Sequence, residues 1–189
     1  MELLDFPIEL TKYNERVYIH LFTDIHMGAM GCDRKALSRD VKNFKAAIDR
    51  GEKHYWILGG DNCNSVGPKD RRHDSATIAK EFRDYIGGSL FDEERAALCA
   101  HMRPIRDYGI GVGSGNHEDK ISATSEHHPA IETARQLDLP YLGYSALIRL
   151  RMLNKVTNAS VIIHWHHGRG AARQPGGKFN MVYGMRDVA

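Results

Sequence analysis

Four short polar clusters carry the residues of this chain whose types and spacing could do chemistry together. They are Asp24-Ile25-His26 in "FTDIHMG", Asp61 in "GGDNCN", Asn116-His117 in "GSGNHE", and His164, His166 and His167 in "HWHHG". Two aspartates, an asparagine and several histidines offer hard oxygen and borderline nitrogen donors, with no thiolate in the set. Such donors suit Mn²⁺ first, with Fe or Zn²⁺ as other fits, rather than a structural zinc site. One carboxylate can bridge two cations, and a pair about 3.5–4 Å apart is the usual device for hydrolysing phosphate esters. Asn116 could ligate through its neutral carbonyl oxygen, which limits the negative charge facing an anionic substrate. His117 beside it could stay unligated and give a proton to the leaving alkoxide.

The elements around the clusters explain how residues some 40 to 55 positions apart could meet. Val17–Asp24 is apolar and β-rich enough for a strand buried on both faces. Leu37, Val41, Phe44 and Ile48 then recur at helical spacing, and Gly51 is placed to end that helix. His54–Leu58 and the small-residue run Gly109–Gly113 read as further strands. Ile78, Phe82 and Tyr85 mark a helical face closed by Gly87-Gly88. Asp92–Tyr108 is helical in composition, with Pro104 expected to kink or shorten it. Pro129 suits the first turn of a helix over Pro129–Leu137. Ser145–Met152 alternates Ile148 and Leu150 with Arg149 and Arg151, as a half-exposed strand does, and Val161–His164 starts another buried strand. Strands alternating with helices, then consecutive strands, predict an α/β layered fold with a mixed sheet. In such sheets the carboxyl ends of neighbouring strands share one crevice, where ligands bind. Each cluster stands at such an end, and the glycines beside it permit tight turns and close backbone approach.

The order D-x-H, G-D, G-N-H-E, then H before glycine resembles the calcineurin-like metallophosphoesterases, from about Asp24 to Gly168. The resemblance implies an α/β sandwich of two mixed β-sheets flanked by α-helices, with a dinuclear metal site at the strand ends. It implies that Asp24 and His26 hold the first ion, that Asp61 bridges, and that Asn116 holds the second. His117 becomes the acid that also contacts the phosphate. The histidine before glycine is a further second-ion ligand, which favours His167, leaves His166 as the alternative, and makes His164 a residue of the core or its border. Two departures stand out. Asn64 occupies the place where the second motif usually carries another aspartate. The final G-H-x-H, the source of two more histidine ligands, is not found; "MVYGMRDVA" reads as the opening of a helix, so residues 1–189 are expected to be one domain truncated at its C-terminal end.

The remaining features limit the alternatives. With 189 residues, 42% of them hydrophobic, the chain can bury a full core as one domain. A balance of 26 Lys+Arg against 24 Asp+Glu argues against a surface coated for nucleic acid, though it leaves room for a local basic groove. No apolar run reaches membrane-spanning length and no signal peptide is evident, so a cytoplasmic protein without membrane partners is expected. Cys32, Cys63 and Cys99 lack paired spacing and read as small packed residues. His127-His128 read as solvated loop residues, and His20, His54, His73 and His101 require no function. "GRGAARQPGGK" lacks the first glycine and the Ser/Thr of a phosphate loop. Its Arg169 and Arg173, together with Lys178, could instead clamp a substrate phosphate or nucleic-acid backbone. "GPKDRRHD", Gly67–Asp74, has the same standing. The expected activity is hydrolysis of phosphoesters, as a phosphodiesterase or nuclease. The competing expectation is a non-catalytic subunit that keeps this fold to bind nucleic acid or a protein partner.

Overall fold

The computed structural model describes residues 3–12, 14–66, 73–83, 89–123, 127–154 and 158–168. Four strands, β2 (Val17–Phe22), β3 (Lys53–Leu58), β4 (Gly109–Gly113) and β5 (Tyr141–Gly143), form a sheet in sequential order, and every pair in it is parallel. Sequential order with crossovers of one hand places all the connecting helices on the same face. Helices α1 (Arg34–Asp49), α3 (Leu90–Met102) and α5 (Pro129–Leu137) accordingly pack there, while the short α2 (Lys80–Arg83) adds Phe82 to the same cluster. Leu37, Val41 and Phe44 of α1 meet Trp56 and Leu58 of β3, with Leu98, Cys99 and Met102 of α3 and Leu137 of α5 alongside.

The other face of this sheet lies on a second sheet. Its strands are β1 (Leu3–Glu9), β6 (Ser145–Leu153) and β7 (Asn158–His166), in the order β1-β6-β7, parallel then antiparallel. Ile8, Ile148, Leu150 and Trp165 from this sheet close on Ile57, Ile110 and Leu142 from the first. The glycines of β4 follow from that closure: a Cβ on Gly113 would overlap the Trp165 ring. A strand pressed by an indole from one sheet and helices from the other side has little room for side chains.

The expected sandwich of two β-sheets with helices is present as an α/β fold, with differences. Only the three-stranded sheet is mixed; the other is parallel throughout, because a helix or helical turn separates each of its strands from the next. The strand β1 carries Pro7, which argues against a central strand, and β1 is indeed an edge. The strand β7 begins earlier than expected and is not buried: Val161 and Ile162 are 49% and 59% exposed, since β7 too is an edge, with a partner on one side only. Pro104 shortens its helix as expected, and α3 gives way after Met102 to a 3-10 segment, Arg103–Tyr108. Ile78 and Phe82 are both buried, but helix is found only over Lys80–Arg83, and Tyr85 lies outside the described residues. No helix among the described residues is long and apolar enough to cross a membrane.

Candidate metal centre

The loops that leave β2 and β3 interlock backbone to backbone. Asp24 N–H donates to Gly60 O, His26 N–H to Asp61 O and Met27 N–H to Asn62 O, and Asn64 N–H returns to Met27 O. This lacing holds Asp24, His26, Asp61 and Ser65 at φ of +54°, +49°, +47° and +53°. Side-chain-bearing residues seldom adopt that region, and such strain gathers where surrounding structure over-determines the backbone, functional sites above all. The neighbouring glycines are needed for the fit. Gly60 has φ +91°, and a Cβ there would lie 2.7 Å from the Ser114–Gly115 backbone; one on Gly115 would overlap Asp61.

Glu118, in the first turn of α4 (Asn116–Ser122), ties two of the loops together from below. Its buried carboxylate accepts from the backbone N–H of Asp61 (2.9 Å), Asn62 (2.7 Å), Cys63 (3.3 Å) and Gly115 (3.0 Å). Burial and the nearby Asp61 push its pKa up, against the pull of those N–H groups.

Asp61 is the hub of what results. It is 4% exposed, and its Oδ1 accepts from His117 N–H at 2.8 Å. Its carboxylate belongs to two groups whose donor atoms all lie within 4.8 Å of one another: Asp61 with His26 and His117, and Asp61 with Asp24 and His167. His26 and His117 stand edge to face, ring centroids 4.7 Å apart. Burial first, and then His117, lower the pKa of His26, which favours a neutral imidazole with a lone pair to offer. Thr23 Oγ1 donates to Asp24 Oδ2 at 2.7 Å and steadies that carboxylate.

The setting of His167 bears on whether these residues fit cations. His167 Nδ1–H donates to Gly59 O at 2.9 Å, so in the neutral ring Nε2 is a lone pair, and it points at Asp61 Oδ2 from 3.4 Å. A backbone carbonyl that holds one ring N–H, fixing the tautomer and leaving the other nitrogen to ligate, is the arrangement found around metal-ligating histidines. Asn116 borders the same carboxylate: its amide NH₂ donates to Asp61 Oδ2 at 3.3 Å and its amide oxygen accepts from His117 N–H at 3.3 Å. Lone pairs facing lone pairs, as at His167 Nε2 and Asp61 Oδ2, repel unless a proton or cation lies between them. The donor set therefore fits a divalent ion in either of the two groups that share Asp61.

Asp24, His26, Asp61, Asn116, His117 and His167 thus come together. His166 does not join them: it ends β7 on the face opposite Trp165, where Nδ1 accepts from Gly168 N–H at 2.7 Å and the ring meets Tyr144. His164 lies on that same outer face beside Ser145. The grouping about Asp61 also departs from the expected one, because His167 sits with Asp24, and His26 with His117. Arg169, Arg173 and Lys178 lie outside the described residues, as do 67–72 of the other basic loop.

Some supporting residues carried no readable signal. Asn64 contributes its backbone carbonyl, which accepts from His117 Nδ1–H at 2.5 Å. An aspartate there would offer the same oxygen, so the departure at this position leaves the contact intact. His128 caps α5 rather than standing free in solvent. Cys63 and Cys99 are buried, and burial raises both thiols, Cys99 to about 11, in keeping with packing roles.

No family model matches the chain, and neither a curated protein nor a solved structure matches it.

Proposed function

We propose that the chain is a hydrolase of phosphate esters that works with two divalent metal ions, Mn²⁺ foremost and Fe or Zn²⁺ as alternatives. The observation that carries this reading is the sharing of one buried carboxylate, Asp61, between two donor groups. The ordered motifs resembling calcineurin-like metallophosphoesterases support the same reaction class. When bound, two such ions clamp phosphoryl oxygens and make a water acidic enough to attack near neutrality.

The chain's own residues supply the remainder. Asp61, fixed by His117 N–H, stays aligned without cost at the moment of reaction. Asn64 O holds His117 Nδ1–H, which leaves Nε2 to carry and release the proton taken by the departing oxygen. His26 presents a neutral nitrogen, and Asn116 a neutral oxygen, so that the pocket is not over-charged against an anionic ester. Phosphodiesters, nucleic acids among them, are the favoured substrates, on the strength of the basic segments that flank the motifs in sequence.

The test is Mn²⁺-dependent cleavage of bis(p-nitrophenyl) phosphate. Asp61→Ala should abolish it. His117→Ala should keep Mn²⁺ at the Asp24–Asp61–His167 group yet lose about 10²–10⁴-fold in rate, the usual worth of a general acid. An Asp61→Ala protein as fast as wild type would remove the bridging role. Wild type that binds Mn²⁺ but cleaves no phosphoester would favour the binding-subunit reading.

A further inference from the structure

We infer that Glu94 is a positioning residue for the Asp61 centre: a buried carboxyl on α3 that clamps the loop after β2 to the loop after β3. Nothing in the four motifs points to it; it lies in "FDEERAALC", within the segment of helical composition. It is nevertheless completely buried.

Its contacts explain why. Glu94 Oε2 accepts from Ser65 N–H at 2.8 Å, and Ser65 is one of the four residues held at positive φ in the site loops. On the other side the carboxyl lies against Gly28, two residues after His26, so closely that a Cβ at Gly28 would overlap it. Gly28 has φ +99°, so this position demands glycine twice over. Gly28 O accepts from Ala79 N–H, which fixes the loop from the far side. One side chain thus sets the spacing between the segment bearing His26 and the segment bearing Asp61. Glu118 ties Asp61 to the third loop; Glu94 ties the first to the second.

The chemistry suits a spacer rather than a ligand. The neighbouring Arg95 is turned to Asp92 and Glu132, and no cation faces Glu94 among the described residues. Glu94 Oε1 is buried with no hydrogen-bond partner, a cost a packing residue such as leucine would not carry. The titratable groups that act on it are Glu118, and Cys63 with its raised thiol. Burial first, then the Ser65 N–H and Glu118, set its pKa at about 8. At neutral pH it is therefore mostly an uncharged acid that braces the two loops.

This inference rests on the metal-centre reading for its functional meaning, and its test separates the two. Mn²⁺ affinity is measured on the full chain by titration calorimetry at pH 7, and hydrogen–deuterium exchange is followed in the peptides covering residues 24–28 and 61–66. Glu94→Gln, a neutral isostere, should bind Mn²⁺ within about twofold of wild type. Glu94→Ala should bind about 10–100-fold more weakly, the usual effect of losing a supporting partner, and should speed exchange in both loops. Glu94→Asp, which withdraws the carboxyl by one methylene, should reproduce the Ala result if the alanine protein does not fold. Wild-type affinity and exchange in Glu94→Ala and Glu94→Asp would overturn the role, as would an equal loss in Glu94→Gln. A wild type that binds no Mn²⁺ refutes the metal centre, and the exchange data then decide by themselves whether Glu94 clamps the loops.

Discussion

Replacing Glu118 by Gln probes how the site is built, because it changes one atom and no volume. In the native chain Oε2 accepts from Asp61 and Gly115 N–H, and Oε1 from Asn62 and Cys63 N–H. An amide keeps an acceptor for one pair only; the other pair then faces an NH₂ group, donor against donor, at a residue that is 1% exposed. Each buried N–H left without an acceptor costs about 1–3 kcal/mol, so two of them cost about 2–6 kcal/mol, a large share of the 5–15 kcal/mol typical of a domain. Urea unfolding followed by tryptophan fluorescence reads this directly. With a slope of about 2 kcal/mol/M, the midpoint should fall by roughly 1–3 M. A midpoint within about 0.2 M of wild type would show that the four N–H groups do not depend on this carboxylate, and the account of how Asp61 is held would fail.

Glu94 gives a pH dependence of defined sign. Its folded pKa, about 8, lies above the ordinary 4.5. Between those values the unfolded chain has released a proton that the folded chain retains, so stability is fullest below about pH 4.5 and declines as pH rises towards 8, by up to about 1.4 kcal/mol per unit. Chemical unfolding from pH 5 to 8.5 should show Glu94→Gln lacking this component; identical slopes in the two proteins would contradict it. Gly113→Ala should lower stability by about 1–3 kcal/mol through overlap with Trp165. A Trp165→Leu background should recover part of that loss, and strict additivity in the double-mutant cycle would refute the overlap as its cause.

The site was legible in sequence where its candidate ligands follow strand ends. Asp24, Asp61 and Asn116 all sit two or three residues beyond β2, β3 and β4, which a pattern of apolar runs closed by Gly and polar residues reveals. The choice between His166 and His167 was open for a physical reason: alternation on a strand says which histidines share a face, but not where the strand stops. The strand β7 runs to His166 with Trp165 turned inward, and His167, just past its end, keeps to Trp165's side and reaches Asp61. Glu94 and the carbonyl of Asn64 were invisible because their roles depend on long-range packing and on backbone groups, which no residue type announces. The strand β1 was hidden by Pro7 and by its polar alternation. It joins the sheet only by pairing with β6, about 140 residues later, as the partners Asp5 and Arg149 show.

The central claim is that cations occupy the space around the Asp61 carboxylate. Crystals soaked in Mn²⁺ and measured at the manganese absorption edge test it most directly. The account predicts anomalous peaks within about 2.0–2.4 Å of Asp61 oxygens, flanked by His26 on one side and by Asp24 and His167 on the other. Crystals that show no peak there, or that show manganese only at other carboxylates, would contradict it.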